Sequence, residues 1–142
     1  MVIVKVVKTE QERELAFDVR KKVFVEEQGV PFHMELDEFD ETAVHFIVQM
    51  EGQTIAAARL RELEPGIGKI ERVSVLKEQR GNHLGVRIMQ YVEEYAREHG
   101  WKRLKLNAQV HALPFYEKLG YAITSPEFLD AYIPHRAMEK EI

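Results

Sequence analysis

Residues 72–96 read RVSVLKEQRGNHLGVRIMQYVEEYA, and the piece QRGNHLG at 79–85 decides how the chain is read. A β-branched strand ends just before it and a long helix starts at about His83. Gly81 and Gly85 have no side chains, so the backbone there can come close to a partner. Arg80 adds a fixed positive charge at the entrance. A strand, a glycine-bearing loop and a helix start form a generic anion site, because free N–H groups and the positive end of the helix dipole favour phosphate. The same glycines also suit a bare tight turn, and the heptapeptide alone leaves both readings open.

Outward from this stretch, strands and helices alternate. Residues 2–7 are a valine-rich strand. Thr9 and Glu12 have capping-box spacing, and Leu15, Val19 and Val23 recur every fourth residue, which predicts a helix over 10–24. Residues 25–42 carry Gly29, Pro31 and seven acids, and read as a loop with room for one short helix. VHFIVQM at 44–50 alternates, which predicts Val44, Phe46, Val48 and Met50 on one face. EGQ at 51–53 reads as a hairpin turn, followed by strands at 54–62 and 69–75 with a Pro65–Gly66 turn between them. The helix over 83–98 places Leu84, Ile88, Val92 and Tyr95 on one stripe and closes at Gly100. A strand at 103–108, a short helix at 111–119 and strands at 121–125 and 135–141 complete the order β-α-loop-β-β-β-α-β-α-β-β. Early hairpins and one right-handed β-α-β crossover predict an α/β fold, a mixed sheet with helices on its faces.

Composition bounds the function. The 142 residues suit one compact domain, with 45% apolar and 31% charged residues. A net charge of −4 gives no sign of a general nucleic-acid binder, and the cluster Lys102, Arg103, Lys105 reads as a solvated strand end. The absence of cysteine excludes a disulfide framework, a thiol nucleophile and a zinc–thiolate site, and fits a cytoplasmic home. MVIVKVVKTE is too short and interrupted for a signal peptide or membrane span. The six histidines are dispersed without ligand spacing, so no metal is expected.

The element order, RVSVLKEQRGNHLG and AQVHALPFYEKLGY at 108–121 together resemble the GNAT superfamily of acyl-CoA-dependent N-acetyltransferases over nearly the whole chain. Its loop is commonly Arg/Gln-x-x-Gly-x-Gly/Ala. Arg80 and Gly85 match its ends, Gly81 matches a frequent Arg-Gly start, and His83 stands where the middle glycine usually is. Its second motif commonly reads Asn-x-x-Ala-x-x-aromatic-Tyr-Glu-Lys-x-Gly-Phe. Ala112, Phe115, Tyr116, Glu117, Lys118 and Gly120 match it, with Gln109 for the asparagine and Tyr121 for the phenylalanine. RKKVFVEEQGVPFHMELDEFDETAVH at 20–45 resembles a bacterial branch with Arg-x-x-Val-Phe-Val-x-Glu-Gln, Glu-x-Asp-x-x-Asp and then His. Acyl-homoserine-lactone synthases share a similar arrangement but are longer.

The resemblance implies a mostly antiparallel sheet with a splayed parallel strand pair that forms an acyl-CoA cleft. It implies acetyl-CoA as co-substrate, with its pyrophosphate on the N–H groups of Arg80, Gly81, Asn82, His83, Leu84 and Gly85. Pantetheine would lie along Val73 and Val75, with Gln109 and Tyr116 also on the cofactor. Tyr116 is the implied general acid, since a phenol with pKa near 10 is protonated at neutral pH. The acceptor amine is mostly protonated at pH 7, and freeing it costs roughly 4–5 kcal/mol. Glu71 is the candidate base, and strand alternation puts it on the face of Val73 and Val75; His111 is the rival. Arg20, Phe24, Glu27, Gln28, Glu35, Asp37, Asp40 and His45 are the acceptor-side candidates. The carboxylates suit a cationic amine, and they equally suit a structural network around Arg20. The expected partner is a small-molecule or protein amine, with no nucleic acid or membrane and with a homodimer admitted. A non-catalytic acyl-CoA sensor is the alternative.

Overall fold

The computed structural model describes all 142 residues. The elements are β1 (Val2–Val6), α1 (Glu10–Arg20), α2 (Phe32–Glu35), β2 (Val44–Met50), β3 (Gln53–Glu64), β4 (Ile67–Val75), α3 (Leu84–Glu98), β5 (Arg103–Gln109), α4 (Leu113–Lys118), β6 (Ala122–Ile123), β7 (Phe128–Asp130) and β8 (Ile133–Glu141). One eight-stranded sheet runs β1-β2-β3-β4-β5-β8-β6, with β7 added on β8. Only β4 and β5 pair in parallel. The expected mixed, mostly antiparallel α/β sheet flanked by helices is therefore what the chain forms.

Thr9 caps α1 as its spacing predicts, accepting from the Glu12 N–H at 3.1 Å. The helix does not stop near residue 24. It continues through Lys21–Glu27 in wider π turns, with the Gln28 N–H donating to the Val23 carbonyl five residues back. Those extra turns bring Glu27 and Gln28 to a cleft beside Phe24 rather than leaving them in a loop.

Strand β2 keeps the expected alternation, and both of its faces are buried. Phe46, Ile47 and Val48 are all fully buried, because the sheet is covered on both sides. Phe46 meets Tyr91 and Tyr95 of α3 edge to face, whereas His45 meets Phe17 of α1. The even positions face α3 and the odd positions face α1.

Strand β4 holds a bulge that the sequence pattern does not reveal. Ala57 pairs with Ser74 and Arg59 with Glu71, so Ala58 is opposed by both Arg72 and Val73. Arg72 adopts φ 57°, a left-handed conformation unusual for a bulky residue. The extra residue inverts the side-chain parity. Glu71 shares a face with Ser74 and Arg59, on the α1 side, and not with Val73 and Val75 as strict alternation predicts.

Pairing of β4 with β5 stops at Ile70 and Leu106, and both strands continue unpaired with each other beyond that point. This splay opens the cleft. On the far side, β7 and β8 form a hairpin whose tip residues, Ala131 (φ 51°) and Tyr132 (φ 67°), both have positive φ. That geometry normally selects Asn or Gly, so the sequence carries no signal for it and β7 goes unpredicted.

Candidate functional site

The splay forms a cleft of about 1130 Å³. One wall is the junction between β4 and α3. His83 is the N-cap of α3 with φ 59°, and no side chain caps the helix. No N–H from Gly81 to Val86 has an acceptor within the protein. Those from His83 to Val86 are the orphan donors of a helix start, at the positive end of its dipole. Gly81 takes φ 89°, which is why glycine suits that position. Gly85 is needed for a different reason: a Cβ there would lie 3.1 Å from the Phe115 ring of α4. Its role is to let two helices meet at the cleft wall.

Two details change the picture drawn from sequence. Arg80 is not a free cation. Its Nη1 and Nη2 each donate to Glu27 at 2.6 Å, and its Nε donates to the Val75 carbonyl at 3.1 Å. The guanidinium holds the Glu27 carboxyl below its usual range. Glu27 is thus engaged across the cleft mouth and is not open to an acceptor. Asn82 turns its amide back to the Gln79 carbonyl and does not line the cleft.

The opposite wall carries Gln109, His111, Phe115 and Tyr116. Gln109 donates to Gln28 at 2.8 Å, tying the π-helical end of α1 to β5, and His111 Nε2 lies 2.7 Å from Gln109 Oε1. The Tyr116 ring packs edge to face against Phe115 and Tyr121. Burial pushes its phenol up to about 12, so it keeps its proton at neutral pH. Its hydroxyl has no protein partner.

A smaller cavity of about 130 Å³ adjoins the cleft. Phe24, Gln28, Glu71, Gln109 and His135 line both spaces. Sequence reasoning placed His135 only at a strand start. Its pairing with Gln109 through the β5–β8 ladder is a tertiary fact without a local signature.

The acidic segment resolves into a structural network. Arg20, Glu35, Asp40, His45 and Arg59 are all buried. Arg20 donates to Asp40 at 2.7 Å and to Glu35 at 3.1 Å. Arg59 donates to Asp37 at 2.7 Å, to Asp40 at 2.9 Å and to Glu71 at 2.9 Å. Arg72 joins Glu35 at 2.9 Å and Asp37 at 3.3 Å, which the bulge makes possible. Burial alone would raise the Asp40 carboxyl, but the hydrogen bonds from Arg20 and Arg59 outweigh it and hold Asp40 well below the usual range. His45 donates Nε2–H to the Asp40 carbonyl, and burial lowers its pKa. Arg20, Asp37, Asp40 and His45 reach neither cavity, so the acceptor role expected of them gives way to this scaffold. Arg59, which sequence reasoning missed, is its hub.

Glu71 belongs to the same network. Arg61 donates to it at 2.7 Å, Arg59 at 2.9 Å, and the Lys69 ammonium lies 3.6 Å away. Burial would raise its pKa, but the Arg61 hydrogen bond and the Arg59 charge prevail and lower it. A carboxylate stabilised in this way is a poor general base. No group of three or more His, Cys, Asp or Glu residues is arranged to hold a metal ion, and no helix is long and apolar enough to cross a membrane.

Comparison with known proteins agrees with this architecture. The chain is 42% identical over 137 residues to YjcF of Bacillus subtilis, named as an uncharacterized N-acetyltransferase, covering 96% of this chain and 97% of that one. It is 30% identical over 131 residues to ElaA of Escherichia coli, covering 87% and 84%. An acyl-CoA N-acyltransferase structure from Pseudomonas aeruginosa superposes with a TM-score of 0.88 at 27% identity, covering 99% of both chains. The model of the acetyltransferase (GNAT) domain matches residues 6–142, and the chain belongs to that family.

Proposed function

We propose that the protein is an N-acetyltransferase that moves the acetyl group of acetyl-CoA to a primary amine by direct attack in a ternary complex. The observation that carries this reading is the run of unaccepted N–H groups from Gly81 to Val86 at the uncapped start of α3. Such a run is a binding surface for pyrophosphate. The edge of β4 past Ile70, which β5 has left, is open to the extended pantetheine beside Val73 and Val75. These two features fit the shape of CoA, an anionic head with an extended amide-bearing arm.

Tyr116 then serves the leaving group. Held protonated, its hydroxyl has no internal partner and lines the cleft. It donates toward the sulfur as the C–S bond breaks, and the proton released by the new amide nitrogen replaces it. Phe24 and Gln28, which line both spaces, are the acceptor-side residues that remain available.

Calorimetry with acetyl-CoA, followed by free-thiol detection with a panel of primary amines, tests the reading. Binding plus amine-dependent thiol release is expected. Binding without release from any amine would favour a non-catalytic acyl-CoA module, and no binding would remove the cleft assignment altogether.

A further inference from the structure

Freeing the acceptor amine requires a base, and Glu71 is held ionised by its cationic neighbours. We propose that His135 Nε2 is the proton acceptor for the amine, at the junction of the cleft and the small cavity. This rests on the acetyltransferase reading above and extends it.

Three observations carry the assignment. First, His135 lines both spaces, whereas His111 lines only the large cleft. Second, His135 Nδ1 lies 2.6 Å from the Ile133 carbonyl. A carbonyl only accepts, so Nδ1 carries the hydrogen and the neutral ring presents a lone pair at Nε2. Third, Nε2 has no protein partner. The sealed, unpartnered side-chain nitrogens are Arg13 Nε and Arg59 Nε, so Nε2 of this largely buried residue keeps contact with solvent. The ring is also held in place by the Phe128 ring lying nearly parallel to it, with centroids 6.2 Å apart.

The ionisable groups around it are accounted for. Glu35 of α2 and Lys69, Glu71 and Arg72 of β4 share the small cavity, and each is in an ion pair. Asp130 of β7 also lines it and has no ion-pair partner. His83, His111, Tyr116 and Lys118 share the large cleft with the paired Glu27 and Arg80.

The step balances as follows. The ammonium gives one proton to Nε2, leaving a neutral amine and an imidazolium. The amine lone pair forms the C–N bond at the thioester carbonyl carbon, and the C–S bond breaks with its electron pair going to sulfur. The nitrogen then loses its second proton, and the sulfur gains one through Tyr116. The imidazolium returns its proton to water.

The test compares wild type with His135→Gln, using the best acceptor among ethanolamine, putrescine, lysine and glucosamine. The expected result is a fall in kcat/KM of about 10²-fold or more at pH 7, with acetyl-CoA affinity unchanged. The deficit should shrink as pH rises toward the pKa of the amine, and added imidazole should restore part of the rate to His135→Ala. Wild-type kcat/KM in His135→Gln, or an equal deficit at every pH, would overturn the base role while leaving the acetyltransferase reading intact. No turnover by the wild-type protein with acetyl-CoA bound overturns both. Should His135→Gln fail to fold, nitrogen NMR of the wild-type imidazole decides: a neutral ring with its hydrogen on Nε2 rules the assignment out.

Discussion

At the Arg72 bulge, β4 passes between two environments. On the α1 side, Arg20, Arg59, Glu35 and Asp40 are buried and each charge meets an opposite one. On the cleft side, the N–H groups from Gly81 to Val86, the Tyr116 hydroxyl and His135 Nε2 have no protein partner. Both regions are polar and both lie beside the same strand. Charge that is neutralised internally fixes the position of the α2 segment, and polar atoms left open are free to meet a ligand. Acids in a loop therefore do not mark an acceptor site merely by being acids.

The sharpest way to break this comparison is Asp40→Asn. Asp40 accepts from both Arg20 and Arg59, so the change strands buried guanidinium charge. A loss of about 3–5 kcal/mol is expected, read as a fall in Tm, with acetyl-CoA affinity unchanged at temperatures where the variant is folded. A normal Tm with a raised acceptor KM would return Asp40 to the substrate.

Tyr116→Phe probes the other region at comparable strength. Only a hydroxyl is removed, so Tm and acetyl-CoA Kd should hold while kcat drops ~10²–10⁴-fold if chemistry limits turnover. An undiminished kcat with an amine whose chemical step is slow would exclude the general-acid role.

Gly85→Val has a smaller effect, and a structural one. The new side chain meets Phe115 at the cleft wall, so a loss of about 1–3 kcal/mol is expected. Trimming the neighbour in the double variant Gly85→Val, Phe115→Leu should recover part of it. If stability is untouched and only cofactor binding weakens, the glycine serves the ligand directly.

The weakest effect is a slope. Burial lowers the pKa of His45 in the folded state, so the unfolded chain takes up the proton first as pH falls. Its contribution to stability is whole above about pH 6.5 and is lost as pH drops through the lower, folded value. Thermal melts should show Tm declining from about pH 6.5 downward in the wild type. His45→Gln should be flatter until the carboxylates protonate below about pH 4. Parallel slopes in the two proteins would place the titrating group elsewhere.

Local sequence determined a good deal of this molecule. The capping pair Thr9 and Glu12, the stripe on α3 and the hairpin at Glu51–Gly52 are short-range patterns, and each formed where the spacing put it. The glycine loop and the FYEKLG segment marked both cleft walls, because turn chemistry and helix starts are written within a few residues. Tertiary structure decided the rest. The β4 bulge brings Arg72 to Asp37, 35 residues away in the chain, and it turned Glu71 away from Val73 and Val75. Whether the MELDEFD acids faced substrate or scaffold depended on Arg59, a residue that looks like an ordinary strand position until it pairs with them. His135 enters the site only because β8 lies beside β5 and a carbonyl two residues back sets its tautomer. Local backbone preference is a short-range energy and can be read along the chain, whereas the partner of a buried charge is chosen by packing among distant segments.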